Sequence, residues 1–156
     1  VIRRFLLLWV LICCLAAAAF AQQSVKTTDG TNTVIVDPCL GQTKSYISFS
    51  QTANTKIVSG TSSKKIYVCS INVVTATAQN IAIVEGTGST CGSGTAGVTG
   101  FGGATAATGW NFQANGGISY GNGASSIGAE GTAADDFCVF QSGSGQVSGG
   151  MSYVVQ

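Results

Sequence analysis

Histidine is absent from the chain, proline occurs once, and charge is scarce, with 7 Lys plus Arg and 6 Asp plus Glu among 156 residues. Without an imidazole no side chain has an unperturbed pKa near neutrality, which removes Ser-His and Cys-His nucleophile pairs and histidine-held metals together. Charged side chains make up 8% of the chain, against roughly 25% in a typical soluble domain. Neither the charge-rich composition of a disordered segment nor the basic face of a nucleic-acid binder is present. Glycine is plentiful instead, at 22 residues, and the hydrophobic fraction reaches 45%. The composition points to a folded, non-enzymatic protein that needs no cofactor.

The first 21 residues have the form of a signal peptide. Arg3 and Arg4 precede an apolar run from Phe5, and Ala19-Phe20-Ala21 puts small residues where a signal peptidase reads them, so cleavage is expected before Gln22. Polar Gln22-Gln23-Ser24 follow in place of a positive stop-transfer cluster, which favours export over a membrane anchor. The expected location is therefore secreted or on an extracellular surface, with no membrane association after cleavage. The remaining chain keeps Cys39, Cys69, Cys91 and Cys138. An even count in an exported chain predicts two disulfides, with three connectivities open. Cys69 and Cys138 both lie inside apolar runs; bridging neighbouring strands there gives Cys69–Cys138 with Cys39–Cys91. The spacings lack the close cysteine pair of a zinc site.

Beyond the signal peptide, short apolar or alternating runs are separated by Gly, Asn, Ser and Thr clusters, without the sustained i, i+3, i+4 spacing of helices. The prediction is all-β. Strands are expected at 33–36, 45–50, 55–58, 65–75, 79–85, 117–120, 136–141 and 146–155, with Tyr67, Cys69, Ile71 and Val73 sharing an inward face. Asp29-Gly30 marks a hairpin over Ser24–Val36, an arm at 22–38 preceding a single domain at 39–156. Eight or more short strands with this turn frequency predict a two-sheet β-sandwich, a jelly roll first and an immunoglobulin-like topology second.

Five lysines (26, 44, 56, 64 and 65) and two acids fall between Gln22 and Lys65, whereas four acids and no base follow. This asymmetry reads either as lysines blunting edge strands or as a basic and an acidic pole that would pack head to tail between copies.

Few motifs carry chemistry. Gly92-Ser93-Gly94-Thr95-Ala96-Gly97 matches G-x-G-x-x-G but lacks the strand before and the helix after it, so it reads as a loop. Ser62-Ser63-Lys64-Lys65 matches S-x-x-K but sits in a turn. Asp135 and Asp136, with Glu130 nearby and Asp37 as a possible fourth, are candidate calcium ligands. Glu85 and Glu130 form a candidate carboxylate pair of the kind that hydrolyses glycosides. Trp110, Phe112 and Tyr120 are a candidate stacking platform for a glycan.

Four phrases carry a resemblance: Lys65-Ile66-Tyr67-Val68-Cys69, Glu85-Gly86-Thr87-Gly88-Ser89-Thr90-Cys91-Gly92, Ala114-Asn115-Gly116-Gly117 and the closing 146–154 segment. With them the chain resembles small exported four-cysteine proteins of phage and bacterial metagenomic contigs, and the jelly-roll modules of phage fibre and virion-decoration proteins. The resemblance implies a structural or adhesive subunit, self-assembling into a homo-oligomer or filament, on a cell surface or a virion. It brings no catalytic residues. A monomeric carbohydrate-binding module is the alternative. In one variant of assembly, the hairpin Ser24–Val36 adds to a neighbour's sheet edge.

Overall fold

A computed structural model of the chain describes residues 37–156; the expected signal peptide and the hairpin Ser24–Val36 lie outside them. Asp37 opens the domain by accepting a hydrogen bond from the Cys39 amide, which caps the one-turn helix α1 (Pro38–Gly41). Asp37 and Pro38, expected in the arm, are thus part of the folded domain. Ten strands follow: β1 Ser45–Gln51, β2 Thr55–Val58, β3 Ile66–Thr75, β4 Gln79–Thr87, β5 Ser93–Gly97, β6 Trp110–Phe112, β7 Gly117–Tyr120, β8 Gly128–Ala129, β9 Asp136–Gln141 and β10 Val147–Val155.

The strands form two antiparallel sheets. The first has the order β1-β10-β3-β7, with β8 also on β3; the second has β2-β9-β4-β5, with β6 also on β4. The chain is a jelly roll: β1 pairs with β10, β2 with β9, β3 with β7 and β4 with β5, the nested pairing of one long antiparallel ribbon rolled into a sandwich. An immunoglobulin-like sandwich is excluded, because β4–β5 is the only pair of consecutive strands that hydrogen-bond among the described residues.

Between the sheets lies a core of Ile57, Val58, Ile66, Val68, Ile71, Val73, Ile81, Ile83, Val98, Phe101, Phe137, Val139, Val147 and Met151. The inward face of β3 differs from the simple alternation expected. Ser70 pairs with Ser152 and Val68 with Tyr153, so Cys69 has no partner in the ladder. This one-residue bulge turns Val68, Ile71 and Val73 inward and leaves Cys69 on the outer face, buried with Cys39 and Val154. The second sheet has its own outer cluster of Ala82, Val84, Cys91 and Cys138, packed by Phe140.

These positions decide the disulfides. Cys39 bonds Cys69, tying α1 to β3, and Cys91 bonds Cys138, tying the β4–β5 connection to β9. The expected Cys69–Cys138 and Cys39–Cys91 pairing is overturned. Cys69 and Cys138 face outward from opposite sheets, and sheets packed about 10 Å apart place such residues far beyond bridging range. Two disulfides fit an oxidising compartment. Among the described residues no helix is long and apolar enough to cross a membrane.

Candidate functional site

The glycine-rich G-x-G-x-x-G stretch, expected as a loop, is strand β5, with Gly94 at φ 65°. The S-x-x-K stretch is a turn in which Ser63 has φ 61°, and Lys65 Nζ donates to the Gly131 carbonyl. Neither arrangement is that of a nucleotide loop or an activated serine.

The aromatic residues come together, but not as a platform. Trp110 and Phe112 lie on β6 and Tyr120 on β7, so they belong to different sheets. They meet through the fully buried Phe101, whose ring centroid is 5.7 Å from Trp110 and 6.1 Å from Tyr120. The interplanar angles are 84° and 87°, and Trp110 meets Phe112 at 66°. Edge-to-face contact is how aromatic rings pack in a core, and of the three only Tyr120 is exposed, at 42%. Trp110, Phe112 and Ile118 are partly buried and pack against the core between the sheets.

The carboxylates divide between two places. Asp37 accepts from the amides of Cys39 and Ser126, a purely structural role. Asp136 uses both oxygens, one on the Gly60 amide at 2.9 Å and one on Lys56 Nζ at 3.2 Å. Among the described residues no group of three or more His, Cys, Asp or Glu is arranged to hold a metal ion. The Asp135–Asp136 calcium reading therefore has no support in the geometry.

Glu85 and Glu130 are buried, 3% and 2% exposed, and sequence alternation did not single them out. Glu85 accepts from the Thr132 amide at 3.3 Å, and Glu130 accepts from the Ile66 amide at 2.8 Å through Oε2, while its Oε1 has no partner. Burial pushes the Glu130 carboxyl up to about 8. The Ile66 hydrogen bond opposes this rise, and the nearby charges of Glu85, Asp135 and Asp136 add to it. Glycoside hydrolysis needs two carboxyls facing each other across an accessible gap wide enough for a sugar. This pair is sealed within the end of the sandwich.

The inner row of β4 accounts for that placement. Gln79, Ile81, Ile83 and Glu85 alternate inward, so the apolar core ends in a carboxylate layer on one side and an amide layer on the other. Gln51, Gln79 and Gln141 form the amide layer and donate to the carbonyls of Val139, Gly143 and Gly145. Charge collects at the carboxylate end. Lys56 pairs with Asp136, Lys65 reaches Gly131, and the Ala134 amide donates to the Lys64 carbonyl. Residues of the basic and acidic halves of the sequence therefore meet at this end, which weighs against the two-pole alternative among the described residues.

One surface remains without a partner among the described residues. Of these, β10 lies on one side of β1 and no strand on the other. Its seven residues, Ser45-Tyr46-Ile47-Ser48-Phe49-Ser50-Gln51, contain no charge, proline or glycine. The other open edges are shorter or interrupted: β2 carries Lys56 within four residues, β5 carries Gly94, and β7 has four residues. Glycines on β10 draw the β1 rings away from the free edge. A Cβ at Gly149 would stand 2.8 Å from Phe49 Cζ, and one at Gly150 would collide with the Tyr46 hydroxyl. Both rings therefore lie across β10, and among the described residues no strand covers the outward N–H and C=O groups of β1. Beneath this edge a groove of about 260 Å³ runs between β1 and β2, lined by Ile47, Phe49 and Ile57 with Ser48, Ser50 and Lys56.

No family model, no curated protein and no solved structure matches the chain.

Proposed function

We propose that the chain is a non-enzymatic, exported structural or adhesive subunit that assembles with copies of itself on a particle, filament or cell surface. The observation that carries this reading is the β1 edge. Exposed strands of this length are normally blunted by a lysine, a proline, a bulge or a covering loop, because an open ladder templates pairing with another chain. β1 has no lysine, proline or bulge within its seven residues and no covering strand among the described residues, and Tyr46 on it is 67% exposed. Low overall charge lowers the electrostatic cost of bringing copies together. The two disulfides brace the sandwich, each by about 4 kcal/mol from the loop it closes in the unfolded chain, which suits a subunit outside the cell.

The test is the absolute mass of the full chain, secreted from a host and purified without reductant, by light scattering with negative-stain microscopy at low and high salt. Defined oligomers or filaments that persist in salt are expected, because the β1 contact is uncharged. A monomer at every concentration and salt would overturn the proposal. The carbohydrate-binding alternative has weaker support, since Trp110 and Tyr120 meet Phe101 edge to face and Phe112 packs on Trp110, leaving Tyr120 as the exposed ring.

A further inference from the structure

We propose that the partner at this edge is a second β1: two copies join antiparallel about a two-fold axis through Ser48, making one continuous sheet across the dimer. The inference rests on the self-assembly reading and specifies its contact.

Register follows from the pleat. Directly opposed residues of an antiparallel pair point to the same face of the sheet. On β1 the inward set is Ile47, Phe49 and the buried Gln51, whereas Tyr46, Ser48 and Ser50 are exposed. A two-fold pairing must therefore match inward with inward, which requires the axis to pass through a residue rather than between two. Centring on Ser48 is the one choice that engages all seven residues. It sets Ile47 against the partner's Phe49 and Phe49 against the partner's Ile47 on the inner face. On the outer face Tyr46 meets the partner's Ser50, and Ser48 meets its own counterpart. An apolar pair is thus formed twice by symmetry, and the outer pairs are all hydroxyl-bearing.

The groove supports the same occupant. A strand added beyond β1 carries its inward side chains over the gap between β1 and β2, which Ile47, Phe49 and Ile57 line together with Ser48, Ser50 and Lys56. The partner's Ile47 is apolar and would cover the apolar part of this groove, while its Phe49 ring stays over its own β10. Charge does not oppose the approach. The strand is neutral, and Lys56, the one charged residue lining the groove, is already neutralised by Asp136 at 3.2 Å. Since the axis is perpendicular to the sheet, the inner faces of both copies lie on one side, so the sandwiches abut and form a single two-layered slab.

Two substitutions at an exposed position test this. Ser48→Lys sets two ammonium groups opposite each other at the axis and should raise the dimer dissociation constant about tenfold or more. Circular dichroism and the thermal midpoint should stay unchanged, because the Ser48 side chain points to solvent in the single subunit. Ser48→Cys should form an intermolecular disulfide on mild oxidation, since opposed residues in a ladder lie within bridging distance. Tyr46→Cys, whose opposite number is Ser50, should not cross-link in this way. If the full chain assembles and Ser48→Lys leaves assembly intact, the β1 pairing is overturned while the subunit reading survives, and a donated segment such as Ser24–Val36 becomes the occupant to examine. If the unmodified full chain is monomeric throughout, both readings fall.

Discussion

Replacing Glu130 by glutamine should remove an alkaline weakness built into the carboxylate end of the sandwich. The Glu130 carboxyl is raised from 4.5 to about 8 in the folded state, chiefly by burial. An acid whose folded pKa lies above its unfolded value binds more protons in the native state between the two, so stability declines as pH rises through that interval. The contribution is fully present below about 4.5, falls across the range up to 8, and is lost above it. A rise of roughly 3.5 units at 1.36 kcal/mol per unit sets a ceiling of about 5 kcal/mol. The loop at 131–135 is exposed over most of its length and can open to admit water, so a loss on the order of 2 kcal/mol between pH 6 and 9.5 is the working figure. Glutamine keeps an oxygen for the Ile66 amide and adds N–H donors without charge. Denaturant unfolding from pH 5 to 9.5 should show the native chain weakening with alkali and Glu130→Gln nearly flat, the two curves converging toward pH 5. Parallel curves, or a native chain insensitive to alkali, would refute the assignment of a buried, proton-holding carboxyl.

Two further predictions concern the covalent and packing frame. Under denaturing, non-reducing conditions, trypsin with a Glu-specific protease should release residues 27–44 linked to 66–85, and 86–130 linked to 131–156 or to a shorter piece of it; a link between 27–44 and 86–130 would refute the Cys39–Cys69 assignment. Phe101→Ala should cost about 3–5 kcal/mol and shift the emission of Trp110, the only tryptophan among the described residues, toward the red. An unchanged emission would mean that Phe101 does not seal that end.

Strand positions were largely legible because β-branched and aromatic runs between turn residues have few other solutions. β2, β7 and β9 fall at the expected bounds, and β1, β3, β4 and β10 within two residues of them. The strands that were missed are those whose stability comes from neighbours. β5 reads Ser93-Gly94-Thr95-Ala96-Gly97, with no strand propensity of its own, and forms because β4 offers it a ladder. β6 is three residues on the same strand. Disulfide pairing was illegible for a topological reason: a bulge at Cys69 reversed its face, and no local signal marks a bulge whose cause is the register of β10. Charge in the sequence was equally misleading, since Lys56 and Asp136, 80 positions apart, are in contact.

The two ends of the inner β4 row explain why the placement of the carboxylates was difficult to read. Alternation there was masked because Ala82 and Val84 are apolar as well, covered on the outside by Cys91, Cys138 and Phe140. The inward orientation of Glu85 makes it and Glu130 a pair of side chains sealed into the fold, and the same sealing removes them from any substrate. Trp110 and Tyr120 meet Phe101 edge to face, and Phe112 meets Trp110. Among the described residues, the outer edge of β1 is a ladder with no strand against it. An unpaired ladder gains several hydrogen bonds at once from one partner strand, and a partner with the same alternation gains apolar contact too. The pairing proposed for this edge is therefore a main-chain one, and the test at Ser48 addresses it directly.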